Sequence, residues 1–229
     1  MKNAIVLCSG GLDSVTTAYL IKKRLKFKKI ILMFFDYEQR NKKSEEYFSR
    51  KCAERIGAEF RKIELSELAK LSTSMLNSDG KATKINDLKN TKIESEKWYV
   101  PCRNLIFLNY AAALTESIFV KTKSRCEIFV GFKNEGEESY PDTTKEFVDS
   151  LNKVFKISTD SKPVVKAPLI EMDKEDIVLL AQKLGVDFRE TFSCYVSTTR
   201  KHCGECLACQ LRKKGFYWAN VEDGAEYVS

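Results

Sequence analysis

The sequence predicts an α/β protein with an open, mostly parallel, doubly wound sheet and a small C-terminal metal-binding appendage. Apolar, strand-like runs alternate with helix-like segments, which is the pattern of βαβ units. A glycine-containing loop follows the first of these strands directly, and four of the eight cysteines crowd together near the C-terminus. Because ligands of such sheets bind beyond the carboxyl ends of the strands, we expect the functional residues to lie there.

The predicted elements follow one another in a regular order. Strands are expected at 4–8, 29–35, 59–65 and 127–131, and helices at 14–25, 42–56, 102–120, 142–155 and 173–184. The strands are nearly continuous in apolar side chains, as in sheets that are covered on both faces. Gly57 and Gly185 stand where helix C-caps are expected, and Asp173 can cap the last of these helices.

Length and composition limit the domain organisation. The 229 residues, 43% hydrophobic and 31% charged, predict one large nucleotide-binding domain over 1–190 and a zinc-binding segment over 191–229. Residues 66–100 are rich in Ser, Thr, Asn, Asp and Lys, and they interrupt the alternation of strands and helices. We expect them to form a lid, a partner-contact segment or a solvated loop.

Hydropathy and charge exclude further classes. No run of 18 apolar residues predicts a membrane span, and the first strand is too short for a signal-peptide core. A cytoplasmic location without a membrane partner is therefore expected. The net charge is +7, from 39 Lys and Arg against 32 Asp and Glu, and it is spread along the chain. Without a basic and aromatic platform, no stable nucleic-acid partner is expected.

A six-residue loop ends the first strand and opens the first helix. Its members are Ser9, Gly10, Gly11, Leu12, Asp13 and Ser14. The two glycines permit a tight turn in which backbone N–H groups converge, and the helix N-terminus adds partial positive charge. Ser9 and Ser14 can bond phosphate oxygens, while Asp13 can hold a magnesium ion or cap the helix. A lone Gly-Gly pair would indicate only a turn, whereas the whole loop predicts phosphate binding.

The C-terminal cysteines form a second motif, which consists of Cys194, Cys203, Cys206 and Cys209. Two C-x-x-C knuckles overlap, and a further thiolate reaches them across a short polar loop. Four sulfur ligands with no open position predict a structural zinc site, with an iron–sulfur cluster or a redox pair as alternatives. His202 is the only histidine; it is either a replacement ligand or a bystander.

Further motifs accompany these two in chain order. They are Tyr37-Glu38-Gln39-Arg40, Val100-Pro101-Cys102-Arg103-Asn104, Tyr140-Pro141-Asp142, Pro168-Leu169 with Lys174, and Ser193-Cys194-Tyr195. The loop 9–14 resembles the SGGxDS pyrophosphate loop of the PP-loop, or adenine-nucleotide alpha-hydrolase, superfamily, whose fold is HUP/Rossmann-like. The whole set, from about residue 4 to residue 216, resembles the 7-cyano-7-deazaguanine synthase family of the queuosine pathway.

This resemblance implies an ATP- and Mg²⁺-dependent ligase with a structural Zn²⁺, typically a homodimer. Such an enzyme converts 7-carboxy-7-deazaguanine and ammonia to the nitrile preQ0 through an adenylate and an amide. The catalytic residues would be Asp13, Ser14, Arg103 and Lys174. The substrate contacts would be Gln39, Arg40, Arg103, Asn104, Tyr140 and Asp142. Simpler roles are open for several of them: a helix cap and surface ion pair for Arg103-Asn104, a polar loop for Gln39-Arg40, and a turn for Pro141-Asp142.

The sequence departs from the family pattern in two places. Gly136 stands where the family commonly has an aspartate, and Asn41 stands where it commonly has a histidine. A paralogue that activates the same deazapurine acid for another acceptor, or a different carboxylate, is therefore an alternative. A tRNA-modifying PP-loop enzyme, an ammonia-dependent synthetase of another acid, and a non-catalytic zinc-binding module with a degenerate loop are further alternatives.

Overall fold

A single parallel sheet forms the centre of the computed structural model, which describes residues 3–78, 91–133 and 140–228. Its strands are β1 (Asn3–Leu7), β2 (Lys29–Asp36), β3 (Glu59–Glu64), β4 (Cys126–Phe129) and β5 (Val165–Lys166). They lie in the order β3-β2-β1-β4-β5, and every neighbouring pair is parallel. The strand order reverses between β1 and β4, so the switch point at which such sheets bind ligands lies beyond the carboxyl ends of these two strands.

Helices cover both faces of the sheet, as the predicted doubly wound fold requires. They are α1 (Leu12–Tyr19), α2 (Lys42–Ile56), α3 (Ser66–Leu71), α4 (Thr91–Glu96), α5 (Arg103–Thr122), α6 (Lys145–Ser158), α7 (Lys174–Lys183) and α8 (Leu207–Trp218). A π-helical turn, Leu20–Arg24, continues α1, and short 3₁₀ turns lie at Met75–Asn77 and Phe188–Glu190.

Successive side chains of β1 enter two different core clusters. Ala4 and Val6 pack with apolar residues of α1, α2, α7 and α8 in the first core cluster. Ile5 packs on the other face with those of α5 and α6 in the second core cluster. Because neither face of the strand meets water, every position must be apolar, which explains the continuous pattern in the sequence. The same burial fixes the position of the loop that follows β1.

Most of the predicted elements are confirmed within a few residues. The helix predicted at 42–56 has these bounds, and Gly57 ends it with a left-handed φ of 62°. Gly185 follows α7 with a φ of 67°, and Asp173 begins that helix in a capping box with Asp176.

Three features go beyond the sequence predictions. The described parts of the 66–100 excursion hold α3 and α4, and Leu68, Leu76 and Trp98 pack into the second core cluster. Residues 79–90 lie outside the described part, and the role of a lid stays a prediction. Strand β5 has only two residues, which is too short to give a periodic signal. Helix α8 lies within the cysteine-rich segment, where the metal motif concealed its helical pattern.

The C-terminal segment is joined to the main core. Phe216 and Ala219 of α8 belong to the first core cluster, although the division at residue 190 stays a prediction. Residues 191–218, which carry the four clustered cysteines and α8, are called the metal segment. The tail beyond α8 pairs with this segment: the His202 N–H donates to the Glu226 carbonyl at 2.8 Å and the Val228 N–H donates to the His202 carbonyl at 2.8 Å. Across 3–78, 91–133 and 140–228, no helix combines the length and the apolar character needed to cross a membrane.

A buried ion pair fastens this tail to α8. The Arg212 side chain is 1% exposed, and its Nη2 and Nε atoms donate to the Asp223 carboxylate at 2.6 and 2.9 Å. Its Nη1 atom donates to the Thr191 and Ser193 hydroxyls at 2.9 and 3.1 Å. Burial opposes ionisation of Asp223, but the Arg212 guanidinium holds the pKa of this carboxyl below its usual range.

Asp223→Ala should lower the free energy of unfolding by about 3–5 kcal/mol, because it leaves the Arg212 charge buried without its partner. Urea unfolding at neutral pH measures the loss. Glu171→Ala, which breaks an exposed pair with Lys145, is the control and should change stability by about 0.5 kcal/mol or less. Since the pKa of Asp223 is lowered in the folded state, its contribution is present above the unfolded pKa and disappears as the pH falls through the folded value. Equal effects of the two substitutions would contradict the assignment.

Candidate active site

A cavity of about 290 Å³ opens at the carboxyl ends of β1, β2 and β4. The loop 9–14, the start of α5 and the C-terminal segment contribute its walls. Of the predicted site residues, those that line it are Ser9, Gly11, Leu12, Asp13, Ser14, Arg103, Asn104, Tyr140 and Lys174. The structure therefore brings the predicted phosphate loop, the predicted catalytic residues and part of the predicted substrate contacts to one place.

Two glycines allow the phosphate loop to be closely packed. Gly10 has a φ of 78°, and a Cβ atom there would lie 2.8 Å from both Phe48 Cβ and Ser49 N of α2. Gly131, just beyond β4, passes against the other side, where a Cβ atom would lie 2.9 Å from Ser14 N. No other residue type fits these close approaches without a backbone shift.

The two serine hydroxyls of the loop lie side by side. The Ser14 Oγ atom donates to the Gly11 carbonyl at 3.0 Å and lies 3.5 Å from the Ser9 Oγ atom. Together with the N-terminus of α1, they place hydroxyl and N–H groups at the cavity, and the Ser14 O–H can rotate from the Gly11 carbonyl to a ligand oxygen. Such an arrangement can bind the oxygens of a phosphate or pyrophosphate group.

Asp13 and Lys174 form an ion pair at the edge of this loop. The Lys174 Nζ atom donates to both Asp13 carboxylate oxygens, at 2.7 and 2.8 Å. The lysine side chain reaches the loop by crossing Gly215 of α8, where a Cβ atom would lie only 2.2 Å from Lys174 Cγ. Gly215 thus determines the path of the Lys174 side chain, and sequence reasoning missed it because the two residues are far apart in the chain.

Arg103 is the first residue of α5, and its side chain lines the cavity. Its Nη1 atom donates to the Tyr37 hydroxyl at 3.3 Å. Burial raises the pKa of Tyr37 to about 12, against the opposing effect of the Arg103 charge. Tyr37 therefore stays a neutral phenol, and the positive charge of Arg103 remains available to an anionic ligand.

Two predicted substrate contacts hold other residues in place. Asp142 accepts hydrogen bonds from the Asn104 backbone N–H at 2.9 Å and from its side-chain amide at 3.2 Å, and so caps the start of α5. Tyr140 donates its hydroxyl to the Ser95 carbonyl at 2.7 Å and stacks on Tyr99. Tyr140 borders the cavity, whereas Asp142 acts through Asn104 in this geometry. Direct contacts of either with a substrate stay predictions, and Gly136 lies outside the described residues.

The two remaining candidates, Gln39 and Arg40, lie outside the cavity wall. Gln39 is buried; its amide donates to the Phe35 carbonyl at 3.0 Å and to Glu45 at 2.9 Å. The Arg40 backbone N–H donates to the Leu76 carbonyl at 2.8 Å. Their predicted substrate contacts also stay predictions. Glu45, which does line the cavity, belongs to none of the sequence motifs and could not be singled out from them.

The four predicted metal ligands converge. The sulfur atoms of Cys194, Cys203, Cys206 and Cys209 all lie within 4.8 Å of one another. Backbone N–H groups point at two of them: that of Ser197 donates to Cys194 Sγ at 3.2 Å and that of Cys206 donates to Cys203 Sγ at 3.3 Å. Such donors stabilise thiolates and orient them. Four clustered thiolates fit zinc or an iron–sulfur cluster.

His202 is not part of this ligand set. Its Nε2 atom accepts a hydrogen bond from the Ser193 backbone N–H at 3.0 Å. The imidazole ring lies between Phe192 and Tyr227, with centroid distances of 5.0 and 5.3 Å. His202 therefore lies beside the four cysteines without belonging to their ligand set, and its ring packs against the aromatic side chains of the C-terminal segment.

The metal segment also braces the phosphate loop. The Phe192 N–H donates to the Gly10 carbonyl at 2.9 Å. The Asn41 side chain donates to the Cys194 carbonyl at 2.7 Å, and the Ser44 hydroxyl donates to the Thr199 carbonyl at 2.9 Å. This segment also adds residues to the cavity lining that the predicted site did not include: Phe192, Ser193, Tyr195, Ala208 and Leu211.

The fold and the site together define a class, an α/β protein with a glycine-containing loop, suited to phosphate, at the switch point of a parallel sheet. The family model "Queuosine biosynthesis protein QueC" matches residues 3–220. The chain therefore belongs to this family, and the resemblance inferred from its motifs is confirmed.

Curated relatives agree with this assignment. The chain is 37% identical to a 7-cyano-7-deazaguanine synthase of Nitratiruptor sp. over 99% of both chains. It is 35% identical to one of Methanopyrus kandleri over 100% of both chains. Among solved structures, NMN synthetase from Francisella tularensis is a distant match, with a TM-score of 0.45, 14% identity, and coverage of 96% of this chain and 78% of that one.

Cys206→Ser should abolish stoichiometric metal binding, because it removes one of four thiolate ligands and leaves an incomplete site. Elemental analysis of the purified protein measures the metal content, and a lowered thermal midpoint should accompany its loss. Cys102→Ser, at an exposed cysteine outside the cluster, is the matched control and should retain one metal per chain. Full metal content in the Cys206→Ser protein would contradict the site.

Proposed function

We propose that this chain is an ATP-dependent 7-cyano-7-deazaguanine synthase that forms preQ0 from 7-carboxy-7-deazaguanine and ammonia. The observation that carries this proposal is the cavity in which the loop 9–14, Lys174 and Arg103 meet. Family membership and the names of full-length relatives support the same reaction. The phosphate loop would bind the phosphates of ATP. The Arg103 guanidinium would bind the carboxylate that ATP activates.

The proposed reaction needs ATP because a carboxylate is a poor electrophile. A carboxylate oxygen attacks the α-phosphorus of ATP, and pyrophosphate leaves. Ammonia then attacks the acyl carbon, and AMP leaves. The added nitrogen loses a proton, which gives the amide. A second ATP activates the amide oxygen in the same way; loss of AMP and of the two amide protons gives the nitrile. Two ATP are thus converted to two AMP and two pyrophosphates for each nitrile.

Negative charge develops on the leaving pyrophosphate at each transfer of AMP, and the loop residues are suited to stabilise it. The Ser9 and Ser14 hydroxyls and the N-terminus of α1 would hold the departing pyrophosphate. Asp13 and Lys174 neutralise each other in the structure. When ATP binds with Mg²⁺, the carboxylate of Asp13 would hold the metal ion and the ammonium of Lys174 would hold a phosphate oxygen. The magnesium ion would supply charge neutralisation of the phosphates.

Arg103 would bind and orient the acid. Its guanidinium can hold a carboxylate through two parallel hydrogen bonds. Asn104 is fixed by Asp142, so the first turn of α5 is pre-organised before the substrate arrives. Holding the carboxylate oriented toward the α-phosphate would lower the barrier, because the two reactants would already be in the geometry that the reaction needs.

We also propose Zn²⁺ as the metal of the four-cysteine site, with a structural role, because a closed thiolate set leaves no position for a substrate. A thiolate site of this kind fits the reducing conditions of the cytoplasm. A homodimer is proposed from family expectation, and the exposed apolar side chains of α5, such as Tyr110 and Val120, offer one surface for it.

Product analysis tests the proposed function. The protein is incubated with ATP, Mg²⁺, ammonium and 7-carboxy-7-deazaguanine, and the amide, the nitrile and AMP are followed by mass spectrometry. The amide should appear first and the nitrile should accumulate. Omission of the acid should abolish pyrophosphate release. Amide without nitrile would instead indicate the paralogue with another final acceptor, and absence of AMP with the acid present would contradict the proposal.

Gly215→Ala should lower kcat for pyrophosphate release by roughly 10-fold or more, because the added methyl group displaces Lys174 from Asp13. The same change should leave the metal content intact and should not weaken α8, since alanine favours a helix over glycine by about 1 kcal/mol. Lys214→Ala, at the exposed neighbouring position, is the control. Wild-type turnover in the Gly215→Ala protein would contradict the role of the glycine.

A further inference from the structure

Glu45 is a carboxylate in the cavity wall that the proposed chemistry does not use. It lies in the first turns of α2, and its partly exposed side chain lines the cavity together with Tyr37, Phe107 and Tyr195. An ionised group in such surroundings is costly unless it has hydrogen-bond partners. Its partners therefore indicate which kind of ligand it is prepared to meet.

Two side-chain amides hold the Glu45 carboxylate from behind. The Gln39 Nε2 atom donates to Oε2 at 2.9 Å, and the Asn41 Nδ2 atom donates to Oε1 at 3.2 Å. Both amides are themselves anchored. The Gln39 amide oxygen accepts from the Tyr37 N–H at 2.9 Å, and the Asn41 amide donates to the Cys194 carbonyl at 2.7 Å. The orientation of the carboxylate is thus fixed by the surrounding backbone.

The carboxylate keeps acceptor capacity toward the cavity. Each oxygen of an ionised carboxylate can accept about two hydrogen bonds, and one side-chain amide donates to each oxygen of Glu45. Across the described ranges, no lysine or arginine forms an ion pair with Glu45 within 4 Å. Burial raises the pKa of Glu45, whereas the two amide donors and the more distant Arg103 charge favour the ionised form. A ligand with hydrogen-bond donors would complete its coordination.

The cavity is therefore polarised, with the Arg103 cation and the Glu45 carboxylate both in its wall. A deazaguanine acid has matching polarity: a carboxylate on its five-membered ring, and a ring N–H beside an exocyclic amine on its six-membered ring. A carboxylate accepts two such adjacent donors in parallel. Adenine presents only one donor on the corresponding edge, next to an acceptor nitrogen that a carboxylate would repel.

We propose that Glu45 is the specificity residue that recognises the donor edge of the aminopyrimidinone ring. It accepts hydrogen bonds from the ring N–H and from the exocyclic amine, while Arg103 holds the carboxylate. This inference rests on the proposed function and adds to it the selection of a guanine-like acid. In this assignment Gln39 and Asn41 are positioning residues, which act through Glu45.

Steady-state kinetics of Glu45→Gln tests the assignment. The isosteric change removes one acceptor oxygen and presents an N–H₂ group to the ligand's donors. KM for 7-carboxy-7-deazaguanine should rise roughly 10- to 100-fold, the effect of losing a bidentate base contact, while KM for ATP stays within about twofold. An analogue of the acid that lacks the exocyclic amine should be a poor substrate of the wild-type protein. Its KM should rise much less than that of the acid when Glu45 is replaced by Gln.

Glu46→Gln is the matched control, one residue along α2. The Glu46 carboxylate pairs with Arg50 at 2.7 Å and with Lys62 at 3.1 Å, so both KM values should be unchanged. An unchanged KM for the acid in Glu45→Gln, or a rise in KM for ATP alone, would overturn the assignment. If Glu45→Gln does not fold, discrimination by the wild-type protein decides: equal affinity for the acid and for the analogue without the amine would equally overturn it. Absence of product from the wild-type protein would refute the proposed function instead.

Discussion

The close approach of three backbone segments to the loop 9–14 is the constraint on which the rest of the site depends. Helix α2 packs against Gly10, the segment after β4 packs against Asp13 and Ser14, and the Phe192 N–H binds the Gly10 carbonyl. β1 is buried on both faces, so it delivers the loop to a fixed point. The loop therefore has its anion-binding shape before a ligand arrives, which reduces the ordering cost of binding.

The metal segment also contributes to this packing, because it contacts the start of α2 and the side chain of Lys174. Its backbone carbonyls at Cys194 and Thr199 accept hydrogen bonds from the start of α2, and its helix α8 guides Lys174 to Asp13. Ala208 and Leu211 line the cavity itself. A four-cysteine metal site with no open coordination position would thus influence the proposed reaction through geometry, because it would order part of the cavity wall.

Much of this architecture could be predicted from the sequence because its signals are local. A buried parallel strand, a glycine loop and a C-x-x-C knuckle each depend on neighbouring residues, and the helix over 42–56 has apolar periodicity and a terminal glycine. The roles of Gly215 and Glu45 could not be predicted in this way. Gly215 matters because Lys174, 41 positions earlier in the printed sequence, crosses it, and Glu45 matters because a cavity opens beside it. Gln39 and Asp142 are predicted as substrate contacts from their motifs. In the structure the Gln39 side chain binds Glu45 and the Asp142 side chain binds Asn104, which only the geometry reveals.

The proposed reaction requires that a carboxylate oxygen of the acid attacks ATP. Isotope transfer tests this step: 7-carboxy-7-deazaguanine labelled with ¹⁸O in both carboxylate oxygens is converted with ATP and ammonium, and the AMP is analysed by mass spectrometry. One ¹⁸O atom should appear in the phosphate of each AMP, because both oxygens of the acid leave on phosphorus. Label in water, in pyrophosphate or in inorganic phosphate, with unlabelled AMP, would contradict it.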